Sequence, residues 1–301
     1  MFSYRHAFHA GNHADVLKHA TLVSLLRYLT QKDTALSVID THAGAGLYRL
    51  DGDQAHTSGE AEEGIFKLLG STSLKAAAKG ALIDDYLAVL REFNPPPKSG
   101  SGSPQLRNYP GSPLIAEKLL RPQDRLHLFE VHPTDQRLLR GLVAQRDRHQ
   151  IIRLKMDDGF SGVKPLVPPP SRRGLLVCDP SYEIKSDYGK VVDMLDMALT
   201  RFATGCALIW HPIVARPEAH DLPRKLKNTA ARAGKPWLYA SLSVKSGQSN
   251  ARGVPVGLSG SGVFVVNPPF VLAPALKEAL PVMVEAMAQD EHAGFVLETG
   301  Q

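Results

Sequence analysis

The sequence predicts an α/β fold, an open and mostly parallel sheet of seven strands with helices on both faces, interrupted by a helical insertion. Three observations predict it. Short apolar runs of strand length recur along the chain, and helical patterns separate several of them. The first run opens into a small-residue loop, Thr41-His42-Ala43-Gly44-Ala45-Gly46. Alternating strands and helices mark a parallel sheet covered on both faces. A buried strand feeding a glycine-rich turn begins many nucleotide-binding domains.

Taken in order, residues 13–29 carry Val16, Leu17, Ala20, Val23, Leu25 and Leu26 at close to helical spacing, with Asn12 placed to cap and Asp15 in the first turn. The run 35–40 is apolar and ends in Asp40. Further strand-like runs cover 126–130, 151–154, 175–179, 207–210, 238–244 and 262–266. Helical patterns cover 113–120, 134–145, 190–202 and 221–233. One spacing is abnormal. The acidic residue of a second strand usually lies ~20 residues beyond the glycine loop, yet ninety residues separate Asp40 from Glu130. About 70 residues are therefore extra by that yardstick. They include helical stretches at 59–69 and 73–93, then a Pro-, Gly- and Ser-rich tract at 94–104 that reads as a mobile loop. The predicted division is a main domain of 1–48 and 105–301 and an inserted helical subdomain of 49–104.

Composition limits the function classes. The 301 residues hold 35 Lys and Arg against 30 Asp and Glu, a formal charge of +5, with twelve histidines in reserve. Hydrophobic residues at 43% and charged residues at 22% exclude a disordered or collagen-like chain. No apolar run approaches the ~18 residues of a membrane span, and residues 1–10 lack the apolar core of a secretory signal. Cys178 and Cys206 each fall in a strand-like run, which points to packed free thiols in a reducing compartment, the cytoplasm. The charge permits an anionic partner without identifying one.

The chemistry is expected at the strand ends. Asp40, Glu130, Asp158 and Asp179 follow four runs in turn, and ligands of open α/β sheets bind beyond the carboxyl ends of the strands. A carboxylate there can accept from vicinal ribose hydroxyls or from an exocyclic amine. Asp158 and Gly159 come just after the third run and suit the edge of an adenine. The plainer alternative, that such carboxylates only cap loops, becomes weaker with four in succession. The Gly44-Ala45-Gly46 loop lacks the third glycine of the dinucleotide fingerprint, so it suits close approach of a ligand without phosphates, such as an adenosyl group. Asp179-Pro180-Ser181-Tyr182 combines an acceptor side chain, an acceptor carbonyl and an aromatic ring. That set can grip a planar amine by both hydrogens and stack the attached ring, as an extruded base requires. The N-terminal stretch is rich in His; a zinc site from His6, His9 and His13 is disfavoured, since no Cys lies nearby and only Asp15 could add a carboxylate. Scattered cations, among them Arg172, Arg173, Arg224, Lys225, Lys227 and Arg252, are candidates for phosphate contacts or simply solvated surface.

Several of these segments strongly resemble the RlmJ-type bacterial methyltransferases. They are Ser3-Tyr4-Arg5-His6, the stretch from Phe8 to His19, the 40–46 loop, Tyr109-Pro110-Gly111-Ser112-Pro113 and Ser171-Arg172-Arg173-Gly174. The resemblance implies a class I S-adenosylmethionine-dependent methyltransferase (Rossmann-like) fold with an inserted helical subdomain. It implies methylation of the exocyclic N6 of one adenine in 23S ribosomal RNA, with S-adenosylmethionine as donor and S-adenosylhomocysteine as product. By the same resemblance His19, His42, Ser112, Glu130, Asp158 and Gly159 contact the cofactor, and the strand-end placement of Asp40 and Gly44 adds these two. Asp179 is implied as the catalytic residue, with Pro180 and Tyr182 beside it, and Tyr4 as an RNA contact, with Arg5 and His6 alongside. A monomer with neither metal nor membrane partner is expected. The family usually reads Asp-Pro-Pro-Tyr, and Ser181 departs from it; both acceptors remain, and a looser loop is expected. Asn267-Pro268-Pro269-Phe270 looks closer to the family motif, but it follows the last strand read, which runs antiparallel in such sheets, and is expected to be a structural turn. The alternatives are methylation of guanine N2 or of DNA adenine, or an RNA-binding protein that keeps the fold without turnover.

Overall fold

Eight strands form the main sheet of the computed structural model, which describes residues 5–72, 74, 80–96, 105–146, 151–247 and 257–301. The chain opens with α1 (His13–Leu29), β1 (Ser37–Asp40) and β2 (Leu47–Arg49). Then come α2 (Asp53–Ser58), a π-helical turn (Glu62–Phe66), α3 (Lys67–Gly70), α4 (Gly80–Glu92) and β3 (Asn108–Pro110). Helices and strands next alternate through α5 (Ser112–Leu119), β4 (Arg125–Phe129), α6 (Pro133–Ala144), β5 (Ile152–Lys155), α7 (Gly159–Gly162) and β6 (Gly174–Cys178). The last part holds α8 (Ser186–Arg201), β7 (Cys206–Ile213), α9 (Pro217–Arg232), β8 (Trp237–Ser243), β9 (Gly260–Val266), α10 (Leu272–Met287) and β10 (Gly294–Gly300).

The sheet order is β10-β8-β9-β7-β6-β1-β4-β5. Strands β5, β4, β1, β6 and β7 are mutually parallel, whereas β9 runs antiparallel to both β7 and β8. The order reverses at β1, which pairs β4 on one side and β6 on the other, so a crevice opens beyond their carboxyl ends. The seven strands read from sequence are all present, and the sheet has one more. β10 adds itself antiparallel to β8 as an edge strand and raises the count to eight.

Both faces are buried, which is why the strands read as near-continuous apolar runs. Val38, Leu175, Val177 and Leu208 point to one core layer, and Ile39, Leu176, Cys178 and Ile209 to the other. Both cysteines are free and buried. α1 lies inside the first layer, packed by α4, α5, α10 and β9. Its start is fixed by the Asn12 side chain, which accepts from the Asp15 amide at 2.9 Å.

The extra residues leave and return through a two-stranded stem, with Leu47 opposite Pro110 and Arg49 opposite Asn108. α4 within this excursion buries Leu82, Ile83, Tyr86, Leu87 and Leu90 in the same continuous layer as α1 and α10. Residues 73, 75–79 and 97–104, which include most of the tract read as a loop, fall outside the described residues. So do Tyr4 and Arg252.

Asn267 lies at the opposite end of the sheet from Asp179. Its Nδ2 donates to the carbonyls of Ala203 (3.1 Å) and Gly205 (2.7 Å), in the turn that leads into β7. The Asn-Pro-Pro-Phe tetrapeptide therefore closes a turn at the amino ends of the parallel strands. No described helix is long and apolar enough to cross a membrane.

Candidate active site

At the end of β1, Asp40 is 1% exposed, and its Oδ2 is buried with no partner. Burial pushes this carboxyl up to about 7, against the opposing influence of Ser112 and the His42 amide. The next carboxylate, Glu130, spans from β4 to the glycine loop. One oxygen accepts from the Gly44 amide and the other from the His132 amide, each at 2.7 Å. Burial raises its pKa as well. Asp158 is different. It is an exposed N-cap of α7, accepting from the amides of Phe160 and Ser161 at 3.2 Å. Here the plainer capping explanation accounts for the bonds seen, although a carboxylate retains lone pairs for a ligand.

Two glycines let these loops close. Gly44 has φ +64°, and a Cβ there would lie 2.4 Å from the Tyr48 hydroxyl. A Cβ on Gly159 would lie 2.0 Å from the Thr41 carbonyl, so only glycine lets the Asp158 loop approach the loop after β1. The His42 ring meets Phe160 edge-on at 4.8 Å, and burial lowers its pKa to about 4. His19 is buried in α1, where Nδ1 bonds the Tyr109 hydroxyl at 3.0 Å; burial lowers it to about 3, so the ring is neutral.

Across the crevice, Asp179 follows β6 and meets a cation that sequence reasoning did not single out. Lys18 Nζ bonds Asp179 Oδ2 and, at 2.8 Å, Asp15 Oδ1. The Lys18 and Asp15 side chains are 6% and 1% exposed, so the bridge is buried. Asp15 is held further by the Gly11 amide and His6 Nε2, both at 2.9 Å on Oδ2. Burial alone would raise Asp15, but His6, Lys18 and His19 together hold it well below the usual carboxylate range. The two carboxylates in turn keep Lys18 charged despite its burial. The signal was present in sequence: Asp15, Lys18 and His19 fall three and four apart, on one side of a helix whose other positions are mostly apolar.

Asp179, Ser181, Tyr182, Lys18 and His6 line one cleft of about 460 Å³. The residues expected to hold a cofactor, Asp40, His42, Ser112, Glu130 and Asp158, are not in its lining and sit around the neighbouring strand ends. Glu60, from the excursion, closes the cleft's outer side by accepting from His9 Nδ1 (2.8 Å) and Asn12 Nδ2 (2.9 Å). The three histidines considered for zinc thus have different surroundings: His6 bonds Asp15, His9 bonds Glu60, and His13 is buried with Nδ1 unbonded. Among the described residues no group of three or more metal-ligating side chains occurs. Arg5 Nε is buried without a partner.

Tyr182 departs from the role expected of it. Its ring is 2% exposed, lies 4.6 Å from the Tyr188 ring, and its hydroxyl donates to the Trp210 carbonyl at 2.7 Å. With φ +54°, the backbone turns the ring down into the second core layer, so in this arrangement its faces are taken by protein and not open to a base. Arg216 pins the same turn through the Tyr182 carbonyl at 3.1 Å. Ser181 is exposed, and its hydroxyl accepts from the Glu183 amide at 3.5 Å.

Comparison with known proteins identifies the family. The family model described as ribosomal RNA large subunit methyltransferase D, RlmJ, matches residues 33–298. A Haemophilus influenzae protein named ribosomal RNA large subunit methyltransferase J is 39% identical over 298 residues, covering 99% of this chain and 98% of its own. The Escherichia coli protein of the same name is 42% identical over 281 residues, covering 93% and 92%. A crystal structure of a Legionella pneumophila protein superposes with a TM-score of 0.81 at 31% identity, covering 97% and 98%. With its sheet order of a class I methyltransferase extended by one edge strand, this chain belongs to the RlmJ family of ribosomal RNA large subunit methyltransferases.

Proposed function

We propose that this chain transfers a methyl group from S-adenosylmethionine to the exocyclic N6 of one adenine in 23S ribosomal RNA. The observation that carries the reading is the Lys18-held carboxylate of Asp179 at the mouth of a cleft beside the switch point of the sheet. Family membership supplies ribosomal RNA as the substrate class.

The strand ends fit the donor chemically. Asp40 keeps a buried, unpartnered oxygen, suited to an ammonium or hydroxyl donor. Glu130 keeps lone pairs for ribose hydroxyls, and Gly44 and Gly159 leave room that any side chain would fill. Neutral His19 and His42 add no charge that would repel a cationic ligand. S-adenosylmethionine, when bound, supplies an electrophilic methyl group on a sulfonium sulfur.

The protein's own residues then act on the amine. An exocyclic amine is a weak nucleophile because its lone pair is shared with the ring. The Asp179 carboxylate accepts a hydrogen bond from one amine hydrogen and the Pro180 carbonyl from the other, which aligns the lone pair and stabilises the charge developing on nitrogen; the proton that nitrogen sheds on methylation leaves to Asp179 or to water. Lys18 fixes the orientation of the Asp179 carboxylate, with Asp15 as the anchor behind it. Residues 49–104 act as an inserted subdomain that bounds the cleft through Glu60, and Tyr4, Arg5 and His6 engage RNA. We place the enzyme in the cytoplasm as a monomer, in keeping with its buried free cysteines.

The test is Asp179→Ala with tritiated S-adenosylmethionine and protein-free ribosomal RNA from a strain lacking the enzyme. Label transfer should fall by about a hundredfold or more, the scale of losing a positioned acceptor. Transfer near the wild-type rate would overturn the assignment.

A further inference from the structure

With the Tyr182 ring packed into the core, a target base lacks the ring expected to hold it. Two other large aromatics line the same cleft: Tyr188, which is buried and packed on Tyr182, and Trp210. Trp210, near the carboxyl end of β7, is half-buried, packs partly against both core layers, and lies among the lining residues with Asp179 and Ser181. Its ring centroid is 5.6 Å from Lys18 Nζ, the ammonium that grips Asp179. The indole therefore sits one side chain away from the carboxylate that takes the amine. Its backbone is locked from behind, since the Trp210 carbonyl accepts from the Tyr182 hydroxyl and the two rings lie 6.0 Å apart. In this arrangement Tyr182 is a prop for Trp210 and does not itself present a face to the cleft.

Ring and neighbouring carboxylate together make a set complementary to an aminated base. A base resting on an aromatic face gains stacking energy whatever its identity, and its exocyclic amine is then within reach of the carboxylate, which can only accept.

We propose that Trp210 is the residue on which the target adenine rests while its amine is presented to Asp179. The inference rests on Asp179 being the acceptor of that amine. Loss of the stacked face should lower kcat/KM for RNA by about tenfold to a hundredfold, the range that base–aromatic stacking spans.

The experiment combines kinetics with fluorescence. Trp210→Leu and Trp210→Phe are assayed for kcat and KM on unmodified ribosomal RNA, and for S-adenosylhomocysteine affinity by calorimetry. Trp210→Leu should lose kcat/KM while keeping S-adenosylhomocysteine affinity, and Trp210→Phe should recover most of the loss. The chain holds two tryptophans, Trp210 and Trp237. Trp237 packs on Phe264, away from the cleft. In Trp237→Phe the remaining emission reports Trp210 alone, and adenosine added with S-adenosylhomocysteine present should quench it, with uridine quenching less. Excitation at the red edge of the indole band avoids absorption by the base. Full activity in Trp210→Leu, loss of S-adenosylhomocysteine affinity in step with activity, or absence of adenosine quenching would each overturn the proposal. Failure of the underlying site reading looks different, because Asp179→Ala would then stay active; failure of this inference alone leaves Asp179→Ala inactive and Trp210→Leu active.

Discussion

Replacing Lys18 by Met probes the buried bridge that joins α1 to the β6 loop. The methionine fills similar volume and removes the charge. It leaves the carboxylates of Asp15, 1% exposed, and Asp179, 16% exposed, without the cation they share. Breaking a buried ion pair from one side costs about 3–5 kcal/mol, because the remaining charge stays buried. Asp15 keeps the Gly11 amide and His6, so the lower end applies, about 3 kcal/mol. At about 2.1 cal/mol/K per residue, 301 residues give an unfolding entropy of roughly 0.6 kcal/mol/K, hence a fall in Tm of about 5 °C. The sign with pH is also fixed. Asp15 has a depressed pKa in the fold, so its stabilisation is full above the ordinary carboxylate range and disappears as pH falls through the folded value. The gap between wild type and variant should therefore be complete at neutral pH and narrow below about pH 4. Circular dichroism melts across pH measure it. A Tm within about 1 °C of wild type at neutral pH would refute the bridge as a stabilising element.

Two further outcomes follow from the cofactor side. Asp40 is held up at about 7, so the fold retains a proton that the unfolded chain releases, and stability falls as pH rises from about 4 to 7. Asp40→Asn should then raise Tm relative to wild type more at about pH 8 than at about pH 4.5, while weakening S-adenosylhomocysteine binding in calorimetry; an equal shift at both pH values would contradict a raised pKa. Gly159→Ala places a Cβ 2.0 Å from the Thr41 carbonyl, backbone against backbone, so the loop must move. S-adenosylhomocysteine affinity should drop by about tenfold or more, a cost of at least 1.4 kcal/mol, and an unchanged dissociation constant would show that the loop does not border the ligand.

Much of this was legible in the sequence, for physical reasons that differ by element. The parallel strands announced themselves because burial on both faces forces uninterrupted apolar runs. The glycine loop and the carboxylates at strand ends were visible because topology alone brings them to one side of the sheet. β10 escaped notice: only one edge of it is paired, Phe295 and Val296 are substantially exposed, and neither alternation nor a solid apolar run results. α10 was hidden by Pro281 within it, which reads as a breaker. Lys18 escaped because periodicity assigns α1 to the core, and a charge inside a core helix acquires meaning only when the partner 161 residues away is known. Tyr182 illustrates the opposite limit. Its residue type suits stacking, but its positive φ, set by tertiary contacts from Arg216 and Trp210, turns the ring inward.

The most direct test of the central claim is the nucleoside formed. Ribosomal RNA from a strain lacking the enzyme, incubated with the purified chain and S-adenosylmethionine, is digested and its nucleosides are separated by mass spectrometry. The account predicts N6-methyladenosine with the wild-type chain and none above background with Asp179→Ala. Appearance of 2-methylguanosine instead, or an equal yield of N6-methyladenosine from Asp179→Ala, would contradict it.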